Sequence, residues 1–365
     1  VSSVSAIVLA AGQGTRMRSS RPKPLHVLCG RPMLLCVLDS LAAVDPGRVV
    51  VVVGHGAEAV TKRLHEDGPD LRTEFVEQEV QRGTGDAVRV GLGAFVDDPV
   101  DDDTAAILVL PGDTPLLRPA TIAALVETHR STGAACTVLT ARLDDPTGYG
   151  RVVRGRDERV QRIVEQADAT ADEQAIDEVN TSIYCFRQSL LAPALRRVMP
   201  ENAQGELYLT DVVEVLHDAG YPVVSLEADD PGETVGINDR SQLAAAEAVL
   251  RRRTARAWMG RGVTMVDPDR TYLDTTVELA ADVTLFPGTL LRGHTVVAGG
   301  CEIGPDTRLD DCIVGPGAVV QHTVGAHAEI GEGAVVGPFA HLEPGAVVES
   351  NTRTGAFYTG HPAGS

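Results

Sequence analysis

The chain has 365 residues, 43% of them hydrophobic, and 51 acidic against 32 basic side chains give a formal charge of −19. That length supports two domains, each with its own core. The excess of acid and the 4% aromatic content argue against a nucleic-acid partner, and no apolar run reaches the ~18–20 residues of a membrane span.

A buried strand is expected at residues 5–9, ending abruptly in the loop Ala10-Ala11-Gly12-Gln13-Gly14. Glycines at 12 and 14 let backbone N–H groups close on an anion. Arg16, Arg18, Arg21, Lys23 and Arg31 follow with no Asp or Glu before residue 39, so an acidic protein has a positive amino-terminal end. This is the pattern of a small phosphate-bearing ligand. It is neither a Walker loop nor a dinucleotide fingerprint, because Met17 stands where a third glycine would be needed.

Further strands are predicted at 49–53, 73–76, 107–110, 135–141, 160–165, 181–186 and 223–227, with helices at 32–43, 56–65, 84–95 and 120–131. The alternation implies a largely parallel sheet covered on both faces. Ligands of such sheets sit at the carboxyl ends of the strands, which puts the loop 12–23 and Gly112-Asp113 on one rim. Asp113 alone also admits a lesser reading as a helix cap or turn. Residues 239–257 read as one helix capped by Asp239, with its basic residues toward the carboxyl end. From about 263 a six-residue period begins. Its inward positions are Val277, Val283, Thr289, Thr295, Cys301 and Thr307, with Leu279, Leu285, Leu291, Val297, Ile303 and Leu309 two places on. After a phase shift in 310–327 it resumes at Ala328, Ala334, Ala340, Ala346 and Thr352, which predicts a parallel β-helix. Six cysteines without CxxC spacing predict reduced, packed thiols, and with no leader-like start the sequence predicts a cytoplasmic protein.

The strings LAAGQGTRM and RPKPLH are followed in order by GTGDA (83–87), LPGDTPL (110–116), LDDPTGYGR (143–151) and RIVEQADA (162–169). EVNTSIY (178–184), NAQGELYLTDVV (202–213) and GIND (236–239) complete the set. With the hexapeptide tail, the chain resembles the bacterial bifunctional N-acetylglucosamine-1-phosphate uridylyltransferase/glucosamine-1-phosphate acetyltransferase family, to about Phe357. The resemblance implies an α/β fold: a Rossmann-like nucleotidyltransferase domain (1–238), a linking helical arm (239–260), a short left-handed parallel β-helix (261–357) and a divergent tail (358–365).

It also implies Mg²⁺-dependent transfer of a uridylyl group from UTP to N-acetylglucosamine 1-phosphate. Arg16 and Lys23 would be catalytic, and Asp113 and Asn238 would hold the metal. Ala10, Ala11, Gly12, Gly14, Thr15, Gln78, Gly83 and Thr84 would bind the nucleotide. Gly150, Glu165 and Asn180, with Tyr149 and Tyr208, would bind the sugar. The family further implies a homotrimer joined through the β-helix. Two departures stand out. Glu343 takes the place of an arginine that precedes the PG pair in relatives, and the tail diverges after Phe357, so acetyl transfer is expected to be absent. Pro24 and Pro111 stiffen the first site, which leaves another sugar 1-phosphate or dTTP as a rival substrate. A non-catalytic assembly or regulatory subunit is the rival of another class, although Arg16, Lys23, Asp113 and Asn238 are all present.

Overall fold

Five consecutive valines, Val49 to Val53, have β-branched side chains on both faces of a strand and require cover on both sides. In the computed structural model, which describes residues 4–95, 104–156 and 158–362, they receive it. They lie in β2 (Arg48–Val53), parallel to β1 (Val4–Ala10) and β3 (Thr73–Glu77). The sheet continues through β4 (Ala106–Pro111), β5 (Cys136–Arg142), β8 (Glu178–Arg187) and β9 (Val223–Glu227) in the order β9-β5-β8-β4-β1-β2-β3. β8 alone on this path runs antiparallel to its neighbours. A side ribbon, β6 (Arg151–Arg154) with β7 (Val160–Val164), joins β8 where Val179 pairs Arg151.

Helices α1 (Met33–Ala42), α2 (Ala57–Asp67) and α4 (Pro119–Thr132) bury their apolar residues in one core with Val49, Val51 and Leu108. The opposite face packs Val50, Val52 and Ile107 against α3 (Thr84–Leu92), α6 (Gln188–Leu195) and α7 (Asp211–Asp218). A short α5 (Ala171–Gln174) begins with a capping box, Thr170 to Glu173. The strand order reverses at β1, whose neighbours are β2 and β4. This switch point opens a crevice at the strand carboxyl ends.

The predicted strands and helices of this region are present, with ends shifted by a few residues. The sequence reading missed β6, α5, α6, α7 and the paired segments Val27–Leu28 and Arg31–Pro32. The chain divides into two units, Val1–His26 with Pro32–Gln242, and Val27–Arg31 with Leu243–Ser365. Helix α8 (Arg240–Met259) has the expected cap: Gln242 N–H donates to Asp239 Oδ1 at 2.8 Å.

The second unit is a left-handed parallel β-helix of three sheets with five, six and five short strands. The six inward positions from Val277 to Thr307 are all buried, as are their apolar partners two places on. Thr289 and Thr295 satisfy their buried hydroxyls at the corners, donating to Phe286 and Arg292 carbonyls, each at 2.7 Å. The phase shift has a simple origin. Leu290 pairs with Arg308, 18 residues on, whereas Arg308 pairs with Val324, 16 on, and Glu329 with Val347, again 18. Corners before Cys312, Thr323 and Ala328 are each one residue short, yet those three residues remain buried. Thr352 is half-buried. Among the described residues, no helix is long and apolar enough to cross a membrane.

Candidate active site

The loop after β1 makes a single 3-10 turn, Thr15–Met17, entered through Gly14 at φ +61°. A Cβ on Gly14 would lie 2.6 Å from the Lys23 Cβ, so only glycine lets the loop close over Lys23. Arg240 holds the far end of this turn, donating from Nε to the Met17 carbonyl at 3.2 Å and lying 3.2 Å from His26 Nδ1. Burial, with Arg240 and Arg21 nearby, pushes the His26 imidazole below its usual range, which keeps it neutral under that guanidinium.

Lys23 then makes the connection on which the site depends. Its ammonium donates to Asp113 Oδ2 and, at 2.8 Å, to Asn238 Oδ1. Asp113 follows β4, and its carbonyl accepts the Ile237 N–H at 2.9 Å, so main chain and side chains both tie the segments together. Gln242 Oε1 accepts the Asn238 N–H at 2.6 Å. Three residues separated by up to 215 positions therefore meet at one point.

Asp113 and Asn238 stand on the wall of a cleft of about 510 Å³. Ala11, Gly12, Arg16, Gln78, Gly83 and Thr84 line it, as do Tyr149, Gly150, Glu165 and Asn180. Ala10, Gly14, Thr15, Lys23 and Tyr208 are not on this wall; Lys23 reaches it through Asp113 and Asn238, and Tyr208 is buried with its hydroxyl unpartnered. Burial raises the Glu165 carboxyl above the usual range, although the Thr210 hydroxyl donates to it at 3.1 Å. Asn180 is placed by a bulge: the β8 register shifts between Asn180 and Ile183, Ser182 adopts φ +61°, and its N–H donates to Asn180 Oδ1 at 3.1 Å. The adjacent loop rests on Arg151, 2% exposed, which donates to the Tyr149 carbonyl and, at 2.8 Å, to Gln166 Oε1.

Sequence reasoning missed Gln81, Asp86, Arg151, Ser182, Gly236 and Gln242. Gln81 donates to the Ala11 carbonyl, and Asp86 accepts from Gln78. The only local signal was their position inside or beside the segments 83–87, 143–151, 178–184 and 236–239. Asp113 and Asn238 have the chemistry of cation donors. A carboxylate and an amide oxygen already share one cation, the Lys23 ammonium, and both are hard oxygen donors. No group of three or more His, Cys, Asp or Glu able to hold a metal exists among the described residues.

This fold and cleft define a nucleotidyltransferase: residues 5–260 match the nucleotidyl transferase family. The chain is 45% identical over 357 residues to the bifunctional protein GlmU of Brevibacillus brevis, covering 98% of this chain and 75% of that protein. It is 48% identical to that of Streptomyces coelicolor (96% and 72% covered) and 46% to that of Mycolicibacterium gilvum (98% and 71% covered). The chain belongs to the GlmU family and is a sugar-1-phosphate nucleotidyltransferase. Family membership implies a divalent metal in general.

Proposed function

We propose that the enzyme transfers a uridylyl group from UTP to N-acetylglucosamine 1-phosphate, giving UDP-N-acetylglucosamine and pyrophosphate, with Mg²⁺ as the ion. The observation that carries this reading is the meeting of Lys23 with Asp113 and Asn238 at a cleft that Gln78, Gly83, Thr84, Gly150, Glu165 and Asn180 also line. Mg²⁺ held by Asp113 and Asn238 would neutralise phosphate charge and orient the triphosphate. A sugar-phosphate oxygen, ionised at neutral pH because its second pKa is about 6, attacks the α-phosphorus. The bond from that phosphorus to the bridging oxygen breaks, and pyrophosphate leaves with the electron pair. No side chain need act as general base. Arg16 and Lys23 would offset the charge that gathers on the phosphates. Glu165 and Asn180 offer an acceptor and an amide to the sugar hydroxyl and acetamido groups, and Gly150, where a Cβ would lie 3.3 Å from Glu165 Oε2, lets that carboxylate sit close.

The domain reading, 1–238 for nucleotidyl transfer, 239–260 as an arm, 261–357 as β-helix and 358–365 as tail, is part of this proposal, with one amendment: the strand Thr359–Gly360 pairs in parallel with His341–Leu342 and extends the β-helix past 357. So is a homotrimer through the β-helix. It is supported by Val324, Phe339 and Phe357, which are 47%, 55% and 77% exposed there. We assign no acetyl transfer to the described β-helix, because Glu343 pairs with His361 Nδ1 at 3.0 Å where an anionic sugar phosphate would meet an arginine in relatives. The deciding experiment is a pyrophosphate-release panel of sugar 1-phosphates against UTP, dTTP and CTP. N-acetylglucosamine 1-phosphate with UTP should give the highest kcat/KM; a different pair in first place would overturn the assignment.

A further inference from the structure

Gln78 follows β3 and is 5% exposed on the wall of the cleft. Its Nε2 donates to Asp86 Oδ2 at 2.9 Å and, more weakly, to the Gly83 carbonyl at 3.4 Å. Both partners can only accept, so the amide has a single orientation, with nitrogen turned into the wall and Oε1 left for the cleft. Asp86 is 4% exposed in the first turn of α3. Its second oxygen is engaged as well, accepting from Arg89 Nη2. A carboxylate bonded through both oxygens has no donor to offer Gln78 in either orientation.

An outward carbonyl oxygen accepts a hydrogen bond from a base edge and cannot give one. Uracil and thymine present N3–H at that edge, whereas cytosine presents N3 as an acceptor. We infer that Asp86 is the positioning residue that selects the pyrimidine: by holding the Gln78 amide with its oxygen outward, it reserves the base subsite for an imide and rejects cytosine. This rests on the reading of Gln78 as part of the nucleotide wall. It adds a buried residue, Asp86, that does not itself line the cleft.

The Asp86→Asn variant is the sharp test, because Arg89 dictates how the new amide sits. Arg89 can only donate, so the Asn oxygen faces Arg89 and its NH₂ faces Gln78. Gln78 must then turn its oxygen inward and its NH₂ toward the base, which suits cytosine. The kcat/KM ratio of CTP to UTP should rise about tenfold or more, the scale set by leaving buried polar groups mispaired. Arg89→Ala alone should keep the wild-type ratio. Combined with Asp86→Asn, it frees the Asn to turn its oxygen back to Gln78 and should restore the preference for UTP. A purely structural role for Asp86 would lower turnover with UTP and CTP alike; an unchanged ratio overturns the inference. Wild-type binding of N3-methyl-UTP needs no variant to fold, and it should be at least about tenfold weaker than that of UTP. Equal binding overturns the inference while leaving the uridylyl reading intact. Failure of wild type to bind any of these nucleotides would overturn both.

Discussion

A methyl group at position 14 would have to occupy space 2.6 Å from the Lys23 Cβ, in a backbone conformation with φ +61°. Gly14→Ala should therefore push Lys23 from its place and lower kcat/KM by about a hundredfold, the scale of a displaced reactive group, with little change in melting temperature. Lys23→Ala and Asp113→Ala should each abolish pyrophosphate release while circular dichroism remains native; wild-type rates from either would reject its role. Glu165 tests the sugar wall. Burial raises its carboxyl above the usual range, so the charged acceptor form is lost at a higher pH than for an exposed glutamate. The KM for the sugar phosphate should rise as pH falls through that range, and Glu165→Gln should flatten the profile without changing the KM for UTP. At this scale the glycine loop was legible in the sequence, because its chemistry lies within a few adjacent residues. Asp113 was legible as a turn or a ligand, and only the resemblance linked it to Asn238. Asp86 and Arg151 were not legible, since their partners are set by how segments fold onto them.

Among the elements, α7 carries a stored electrostatic cost. Burial, with Glu214, Glu165 and Asp168 nearby, pushes the Asp211 carboxyl in its first turn up to about 6 from 3.8. Above pH 6 the side chain is ionised in both folded and unfolded chains, and the fold bears the whole penalty. Between the two values only the folded chain takes up the proton, so stability rises as pH falls. Asp211→Asn should raise the melting temperature at pH 8, and the gain should vanish by about pH 4; a pH-independent gain would contradict this origin. In the β-helix, Leu291 is fully buried, and Leu291→Ala should cost about 2–5 kcal/mol in denaturant unfolding. The strands were legible because β-branched runs such as Val49–Val53 allow little else. Helices α6 and α7 were not: each has eight residues, and α6 contains Pro193. The phase shift in the hexads was visible, but not its cause, because the shortened corners leave small residues facing inward.

For the molecule as a whole, the alternation of strands and helices followed by a six-residue period was enough to foresee both folds. The antiparallel β8 was beyond it, since strand direction depends on connections whose path a periodicity does not encode. Sedimentation should return a trimer that Phe339→Asp together with Phe357→Asp shifts toward monomer; a wild-type monomer would remove the trimer from the proposal. The central claim is that Asp113 and Asn238 hold one divalent ion against the phosphates. Anomalous diffraction from crystals of the enzyme with UTP and Mn²⁺ addresses it directly. One peak is expected within direct coordination distance of both an Asp113 oxygen and Asn238 Oδ1, with phosphate oxygens completing the coordination. A peak on the triphosphate that touches neither side chain, with Lys23 still bonded to Asp113, would contradict it.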